Sequence, residues 1–461
     1  MGTRIGRHGP DSASLKADIE AVFAKGRRAR SPYGIASELA TMMLPCLGAL
    51  ERMIADGRAS EAEPLLKRIV TASESVIARI DDSNARFYPL CAQAVTLWGL
   101  AWARIEPRNP RKIAALVRKF VDEGGYSIRD RMIADFRDAL GEQGLLELRD
   151  AYSAELAAIP QEDPDDPKSR SREACDRIRA RHSLIRNLKA VADGRRDVDG
   201  FIDACRLDGD HDWDGIAIGR RLVEAGRHED ALPWIDRAIQ GDPDLDPDRP
   251  HDEPHGAAMI RALALCGLGR TSEAAETLWI EFERRPCMST LRDIDRSSAM
   301  PGADGPGIRR AFDPASNFQR AIATASRHAD VHEALRFLME AAEYRAAAEL
   351  ILARTADLDG HCYDVLVPMA EALAEPKGAV PAHAAWLCFR ALLSSILADG
   401  RRNAYGHAAH YLIRMRGLAP RAELGDAQAA LDAELAIAHR FKRSFWEAVA
   451  DEEGAARRRP R

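Results

Sequence analysis

AGRHEDA at positions 225–231 recurs as DGRASEA at 56–62 and as LGRTSEA at 268–274. Each copy follows one amphipathic segment and precedes another. Glycine readily adopts the left-handed conformation that ends an α-helix, and the short polar stretch after it begins the next helix. The three copies therefore predict three helical hairpins, in which the alanine lets the two helices approach closely.

The copy at 225–231 fits a 34-residue tetratricopeptide-like unit, and the copy at 268–274 keeps the same frame after an acidic, proline-rich insertion at 241–254. The residues that define the repeats are Gly57, Ala62, Gly219, Leu222, Gly226, Ala231, Ile235, Ala238, Pro243, Gly269, Ala274, Leu278 and Pro286. Stacked hairpins of this kind bury a continuous core and leave a concave face. The predicted fold is all-α, a helical-hairpin solenoid resembling a tetratricopeptide superhelix.

The composition excludes several classes of protein. A formal charge of −6 argues against a domain whose whole surface binds nucleic acid. The eight cysteines form no CxxC or CxC pair, which excludes local zinc knuckles and predicts reduced, mostly buried thiols. The N-terminus lacks the apolar core of a signal peptide, and the most apolar stretch is interrupted by Arg390. We therefore expect a soluble, cytoplasmic protein without a membrane partner.

Clusters of proline, glycine and charge predict the boundaries between domains. The predicted order is a partly disordered N-terminus (1–30), an N-terminal helical block (31–160), a tetratricopeptide-like repeat block (168–296), a C-terminal helical block (308–451) and a basic disordered tail (452–461).

Several strings together resemble one bacterial family of uncharacterised helical-repeat proteins. They are RIDDSN (79–84), GEQGLLELRDAY (141–152), the hairpin motifs GRHEDAL (226–232) and GRTSEAA (269–275), DGRRNAYGHAAHYLIRMR (399–416) and HRFKRSFWEAV (439–449). Many longer members of that family carry a SWIM-type zinc finger ahead of the helices. The resemblance implies an α-helical repeat array and no established activity. A SWIM finger needs CxC followed by CxH, and this sequence contains neither pattern.

The strongest metal-like string begins at Asp210 and places carboxylates at positions 1, 3 and 5 of a calcium loop. Its twelfth position is Arg221 instead of a bidentate glutamate, so a loop in which Asp212 or Asp214 caps the next helix is favoured. Three histidine pairs lack further ligands at matching spacing: His251/His255, His328/His332 and His407/His410. No metal ligand is predicted.

Nucleophile and phosphate-binding motifs are missing from the sequence. It contains no GxSxG elbow, no GxxxxGK[ST] loop and no GxGxxG after a strand. No catalytic residue and no cofactor is therefore predicted. An enzyme whose active site is assembled from distant residues stays an alternative, because catalytic triads need not be local in sequence.

Basic residues near the C-terminus are interleaved with the aromatic residues Phe441, Phe445 and Trp446. They are Arg440, Lys442, Arg443, Arg457, Arg458 and Arg459. Such residues could hold phosphates and stack bases. The alternative is an amphipathic final helix whose aromatic residues cap the core, and the spacing of Phe441 and Phe445 favours it.

The predicted function is a non-catalytic protein–protein interaction scaffold that holds a protein or peptide on its concave face. The inner helices near Gly219–Leu222 and Arg261–Leu265 are predicted to line that face. Nucleic-acid association through the arginine clusters is the alternative, and an enzyme is the second alternative.

Overall fold

A computed structural model of the protein describes residues 12–29, 34–123, 128–160, 171–208, 214–241, 256–297, 314–375 and 378–458. The described residues form 22 α-helices, two short 3-10 turns and no β-strand, so the predicted all-α class is confirmed. The helices are α1 (Ser12–Arg28), α2 (Ile35–Ala55), α3 (Ala59–Ile77), α4 (Tyr88–Arg104), α5 (Pro110–Asp122), α6 (Met132–Asp135), α7 (Arg137–Ala158), α8 (Arg172–Arg195), α9 (Val198–Asp208), α10 (Asp214–Glu224), α11 (His228–Gly241), α12 (Ala257–Gly267), α13 (Thr271–Arg284), α14 (Met288–Ser297), α15 (Pro314–Ala325), α16 (Val331–Glu340), α17 (Tyr344–Ala353), α18 (Tyr363–Ala374), α19 (Ala379–Ala398), α20 (Tyr405–Leu418), α21 (Gly425–Ala438) and α22 (Arg443–Arg458).

The three predicted hairpin turns lie between α2 and α3, α10 and α11, and α12 and α13. Their glycines, Gly57, Gly226 and Gly269, have φ angles of 82°, 74° and 73°. The backbone N–H of the next residue donates to a carbonyl five positions back, as from Arg227 to Leu222 at 2.8 Å. This pattern satisfies the last carbonyls of the first helix. Three alanines after the turns are fully buried: Ala62, Ala231 and Ala274.

The arginine in each copy of the motif forms an ion pair three residues further on. Arg58 pairs with Glu61 at 2.7 Å, and the same relation recurs in the other two copies. The corresponding pairs are Arg227 with Asp230 and Arg270 with Glu273. Each acid lies in the first turn of its helix, where it also interacts favourably with the helix dipole.

The contacts divide the chain into two compact units, an N-terminal unit (1–221) and a C-terminal unit (222–461). In the N-terminal unit Trp98 packs edge-on against Phe120 and Phe136, with ring centroids 4.9 and 5.3 Å apart. In the C-terminal unit Phe282 packs edge-on against Phe337 at 5.1 Å. The boundary falls within α10 and thus inside the repeat block that the sequence places at 168–296.

Both ends of the chain contain more helix than the sequence analysis predicted. Helix α1 lies in the segment predicted to be partly disordered, and its residues Leu15, Ile19 and Phe23 are buried. Helix α22 continues to Arg458, through most of the predicted tail. The predicted linkers between blocks fall largely at 161–170 and 298–313, outside the described residues.

Helix α19 is long and apolar enough to cross a membrane by length and composition alone. Much of this helix is nevertheless buried within the protein: 61% of its most apolar 18-residue stretch is buried. Trp386, Cys388 and Phe389 of this helix belong to the hydrophobic core of the C-terminal unit.

Candidate functional site

A group of partly exposed titratable side chains from α18, α20 and α22 comes together on the C-terminal unit. His410 on α20 stands between two carboxylates, with Nε2 3.8 Å from Glu371 Oε1 and Nδ1 3.8 Å from Glu452 Oε1. Arg414, one turn further along α20, forms an ion pair with Glu371. We call Glu371, His407, His410, Arg414 and Glu452 the charged face.

The local sequence of α20 explains why these side chains point the same way. His407, His410 and Arg414 are spaced by three and four residues, which places them on one side of a helix. The other side is apolar and buried, and it includes Ala408, Leu412 and Met415. The polar side must therefore face away from the core.

The side chains of the charged face are partly buried and partly accessible to solvent. The side chains of Glu371, His410, Arg414 and Glu452 are between 34% and 42% exposed. Beneath them lies Tyr411, whose pKa is raised by burial and, to a smaller extent, by the negative charge of Glu371. The tyrosine hydroxyl therefore stays neutral. The Arg414 Nε atom is buried without a hydrogen-bond partner, so the guanidinium is only partly satisfied within the chain.

Further ion pairs connect neighbouring helices. Arg336 on α16 donates to Asp364 on α18 at 3.0 Å. Arg416 on α20 donates to Asp432 on α21 at 3.0 Å and also forms an ion pair with Glu453 on α22. Ion pairs thus link α16 to α18, and α20 to both α21 and α22.

The predicted lining of the concave face does not lie on an open surface. Leu222 and Leu265 are fully buried, and Gly219 is buried as well. Arg261 donates to Asp236 at 2.7 Å and to Thr277 at 2.7 Å. The expectation was wrong for Gly219, Leu222 and Leu265, because these three residues are part of the core. The charged face lies instead on α18, α20 and α22.

The remaining repeat-defining residues mostly pack in the interior. Ile235, Ala238 and Leu278 are buried, and Pro286 is buried just after α13. Pro243 lies outside the described residues.

The C-terminal basic cluster is only partly available for phosphate contacts. Lys442 donates to the Leu397 carbonyl at 2.5 Å, and the Arg440 guanidinium lies 4.5 Å from the centre of the Phe441 ring. Arg443 is exposed at the start of α22. The side chains of Arg457 and Arg458, and all of Arg459, lie outside what the structure describes.

The expectation that Phe441 caps the core was wrong. Its side chain is 81% exposed because it lies in the turn before α22, whereas Phe445, within that helix, is fully buried. The i, i+4 spacing therefore does not place the two rings on one helical face.

The histidine and aspartate candidates for metal binding serve other contacts or are not described. His328 binds the carbonyls of Asp330 and Arg284, whereas His332 Nε2 accepts the backbone N–H of Asp359 at 3.0 Å. Asp214 accepts from Lys189 at 3.2 Å. Four further candidates lie outside the described residues: Asp210, Asp212, His251 and His255. Within the described ranges, no group of three or more His, Cys, Asp or Glu could hold a metal ion.

The buried thiols are poor nucleophiles. Burial raises the pKa values of Cys91, Cys205 and Cys388 to about 12. These thiols are therefore protonated at neutral pH, whereas nucleophilic attack requires the thiolate.

Three residues of the charged face were not predicted from the sequence: Glu371, Arg414 and Glu452. The available signal was the 3–4 spacing of polar residues within DGRRNAYGHAAHYLIRMR, which marks one exposed helical side. That spacing does not reveal which acids from α18 and α22 would meet it, because the contacts are formed only by the tertiary fold.

No curated protein matches the sequence. One solved structure, described as "Circular tandem repeat protein with novel repeat topology and enhanced subunit contact surfaces", is similar to this chain at 14% sequence identity. The alignment covers 97% of this chain and 90% of that chain, with a TM-score of 0.21. The sequence profile described as "Family of unknown function (DUF6880)" matches residues 8–448, and the chain therefore belongs to that family.

Proposed function

We propose that the chain is a non-catalytic interaction scaffold in the cytoplasm, and that its charged face binds a protein or peptide. The observation that supports this proposal is the convergence of Glu371, His410, Arg414 and Glu452 from three separate helices at a partly exposed surface. A rigid surface with both signs of charge favours selective contacts with a partner of complementary pattern.

The proposed partner carries charged side chains of its own. His410 and Arg414 offer donors, while Glu371 and Glu452 offer acceptors, and these groups are already held in place by contacts with each other. Such preorganisation lowers the entropy lost when a partner binds. A partner segment with alternating acidic and basic residues fits this face best.

Nucleic-acid association is a second candidate, and helix α8 favours it. This helix carries seven Lys and Arg residues against three Asp and Glu residues. Arg172, Arg179 and Arg186 recur every seven residues and are exposed, so they form a basic stripe, in which Asp176 pairs with Arg179 at 2.8 Å. A stripe of this kind binds phosphates in a strongly salt-dependent manner.

The test is a tagged pull-down from native lysate with and without nuclease, made with three forms of the full chain. We expect the wild type to retain a stoichiometric protein after nuclease treatment. Glu452→Lys should lose that protein, because it places a cation beside His410. Glu447→Lys, on an exposed position of the same helix, is the matched control and should retain it.

Two results would overturn the scaffold proposal. One is a partner that binds the wild type and Glu452→Lys equally well. The other is an eluate whose proteins all disappear with nuclease, which would favour the basic stripe of α8 instead. Circular dichroism of each variant shows whether the helices are retained.

A further inference from the structure

Helix α21 is unusually exposed for a helix of this protein. Of its 14 residues only Gln428 and Leu435 are buried, whereas α19 buries eleven of its 20. The side of α21 opposite these two residues carries exposed side chains from end to end. We call this side, together with the turn that follows it, the outer face: Asp426, Ala429, Ala430, Ala433, Ile437, Arg440 and Phe441.

Polar contacts fix the orientation of α21 on the C-terminal unit. The Trp386 Nε1–H donates to Gln428 Oε1 at 2.7 Å, and this bond is buried. Gln428 Nε2 in turn donates to Asp432 at 3.2 Å, and Arg416 donates to the same carboxylate. Because Gln428 and Asp432 lie on the inner side, these bonds hold the outer face toward solvent.

The outer face includes the two most exposed large apolar side chains in the described part of the chain. Ile437, in the last turn of α21, is 74% exposed, and Phe441, in the turn that follows the helix, is 81% exposed. Large contiguous apolar surface exposed to water costs free energy and commonly marks an interface with another molecule. The next most exposed large apolar residues are Tyr363, at 63%, and Ile280, at 61%.

On the outer face, residues at equal distances before and after Ala433 are complementary to each other in charge or in size. Seven positions on either side of Ala433 stand an acid and a base: Asp426 in the first turn of α21, and Arg440 in the turn just after the helix. Four positions on either side stand Ala429 and Ile437, a small residue and a large one. Two helices packed antiparallel about a two-fold axis bring such positions opposite each other. Each acid then faces a base, and each isoleucine faces an alanine.

We propose that two copies of the chain associate through the outer faces of α21, packed antiparallel about a two-fold axis at Ala433. Alanine at the axis allows the helices to approach at the short end of the usual ~8–10 Å range of interaxial distances. The two-fold symmetry forms the Asp426–Arg440 pair twice. It also places Phe441 of one copy beside Gly425 of the other, where the glycine leaves room for the ring.

A second copy is the occupant because the charge pattern on this face is self-complementary. An unrelated acidic or basic partner would be attracted to one end of α21 and repelled from the other. The proposal concerns a surface separate from the charged face of α18, α20 and α22. Its test therefore does not depend on the proposed scaffold function.

The first experiment measures the molar mass of the full chain by light scattering over a range of concentrations. We expect the wild type to approach twice the chain mass of 50.7 kDa. Asp426→Arg and Arg440→Asp should each shift the protein toward monomer, because each places like charges opposite each other. The double variant should return to dimer. Ile280→Glu, at another exposed isoleucine, is the control and should leave the mass unchanged.

A wild type that stays monomeric at every concentration would overturn the proposal. So would a dimer that both single charge variants leave intact, because the chain would then associate through another surface. Failure of the double variant to recover the dimer, with helical content intact, would exclude the antiparallel register.

A cysteine at the axis provides a second, independent test. In the proposed dimer Ala433 faces its own copy, so Ala433→Cys should form an intermolecular disulfide under mild oxidation. Ala427→Cys, exposed on the same helix but away from the outer face, should not. Non-reducing electrophoresis measures the cross-link, with wild type as the background for the native cysteines. Equal cross-linking of the two variants would contradict the axis at Ala433.

Discussion

His361 connects two loops of the C-terminal unit through both of its ring nitrogens. Nδ1 lies 2.7 Å from Asp359 Oδ1, and Nε2 lies 2.9 Å from Asp399 Oδ2. Two carboxylate acceptors require two N–H donors, which only the protonated ring supplies. The hydrogen bond to Asp359, and then the one to Asp399, raises the pKa of His361 above its ordinary value. Asp399 is the first residue of the string DGRRNAYGHAAHYLIRMR, and its contact with His361 gives the start of that string a structural role.

We expect this pair of bonds to make the stability of the C-terminal unit depend on pH. Because the folded pKa is above the unfolded value of about 6.5, the contribution is complete below that pH and is lost as pH rises through the folded pKa. The measurement is the melting temperature between acidic and mildly alkaline pH. His361→Asn should remove this component of the pH dependence.

His407→Asn is the matched control, because His407 is exposed on α20 and stacks only on Tyr411. It should preserve the pH dependence of the wild type. If His361→Asn and the wild type show identical profiles, the two carboxylates do not act on the stability through this ring.

At the scale of elements, one backbone turn joins several pairs of helices, and glycine marks only some of its occurrences. The sequence predicted the turns at Gly57, Gly226 and Gly269. The same turn also occurs at Ala342, with φ 57°, and at Arg196, with φ 56°. At Ala342 the following N–H, from Glu343, donates to the Leu338 carbonyl at 2.8 Å, as Arg227 does to Leu222.

The chain thus contains a direct comparison of alanine and glycine in one conformation. We expect Ala342→Gly to stabilise the protein by about 1 kcal/mol, since an L-residue is strained at positive φ. Gly226→Ala should destabilise it by a similar amount. A Cβ at Gly226 would meet no atom within 4 Å, so only the backbone conformation opposes the substitution.

Thermal unfolding measures both changes. For a unit of this size about 1 kcal/mol corresponds to a shift of roughly 2–4 °C. A lower melting temperature for Ala342→Gly would contradict this expectation. It would mean that the lower conformational entropy of alanine in the unfolded chain stabilises the protein by more than the strain at positive φ destabilises it.

The sequence therefore predicts elements well where a residue type reports directly on backbone geometry, and less well elsewhere. Glycine at a helix end carries such a signal, whereas Ala342 and Arg196 carry none. Helix α1 was missed because its apolar residues follow a charged, glycine-containing start. The charged face was missed because Glu371 and Glu452 reach His410 only through tertiary packing, and Phe441 was misplaced because the start of α22 was not predicted.

At the scale of the whole molecule, two hydrophobic cores hold the described helices together. The core of the N-terminal unit is formed from residues between Leu15 and Ala204, and that of the C-terminal unit from residues between Ala262 and Val449. Fully buried leucines lie in both, among them Leu66 and Leu338. The division into two units differs from the sequence-based blocks because boundaries predicted from proline and charge report loops, not the extent of a core.

We expect each core to unfold as its own cooperative unit. Leu66→Ala and Leu338→Ala should each cost about 2–5 kcal/mol, because each removes buried methyl groups and leaves a cavity. Hydrogen exchange measured by mass spectrometry locates the effect. Leu66→Ala should lower amide protection in the N-terminal unit alone, and Leu338→Ala in the C-terminal unit alone. The two variants serve as controls for each other, since they make the same chemical change. If either substitution lowers protection equally across both units, the chain unfolds as a single cooperative array, in which neighbouring repeats stabilise one another.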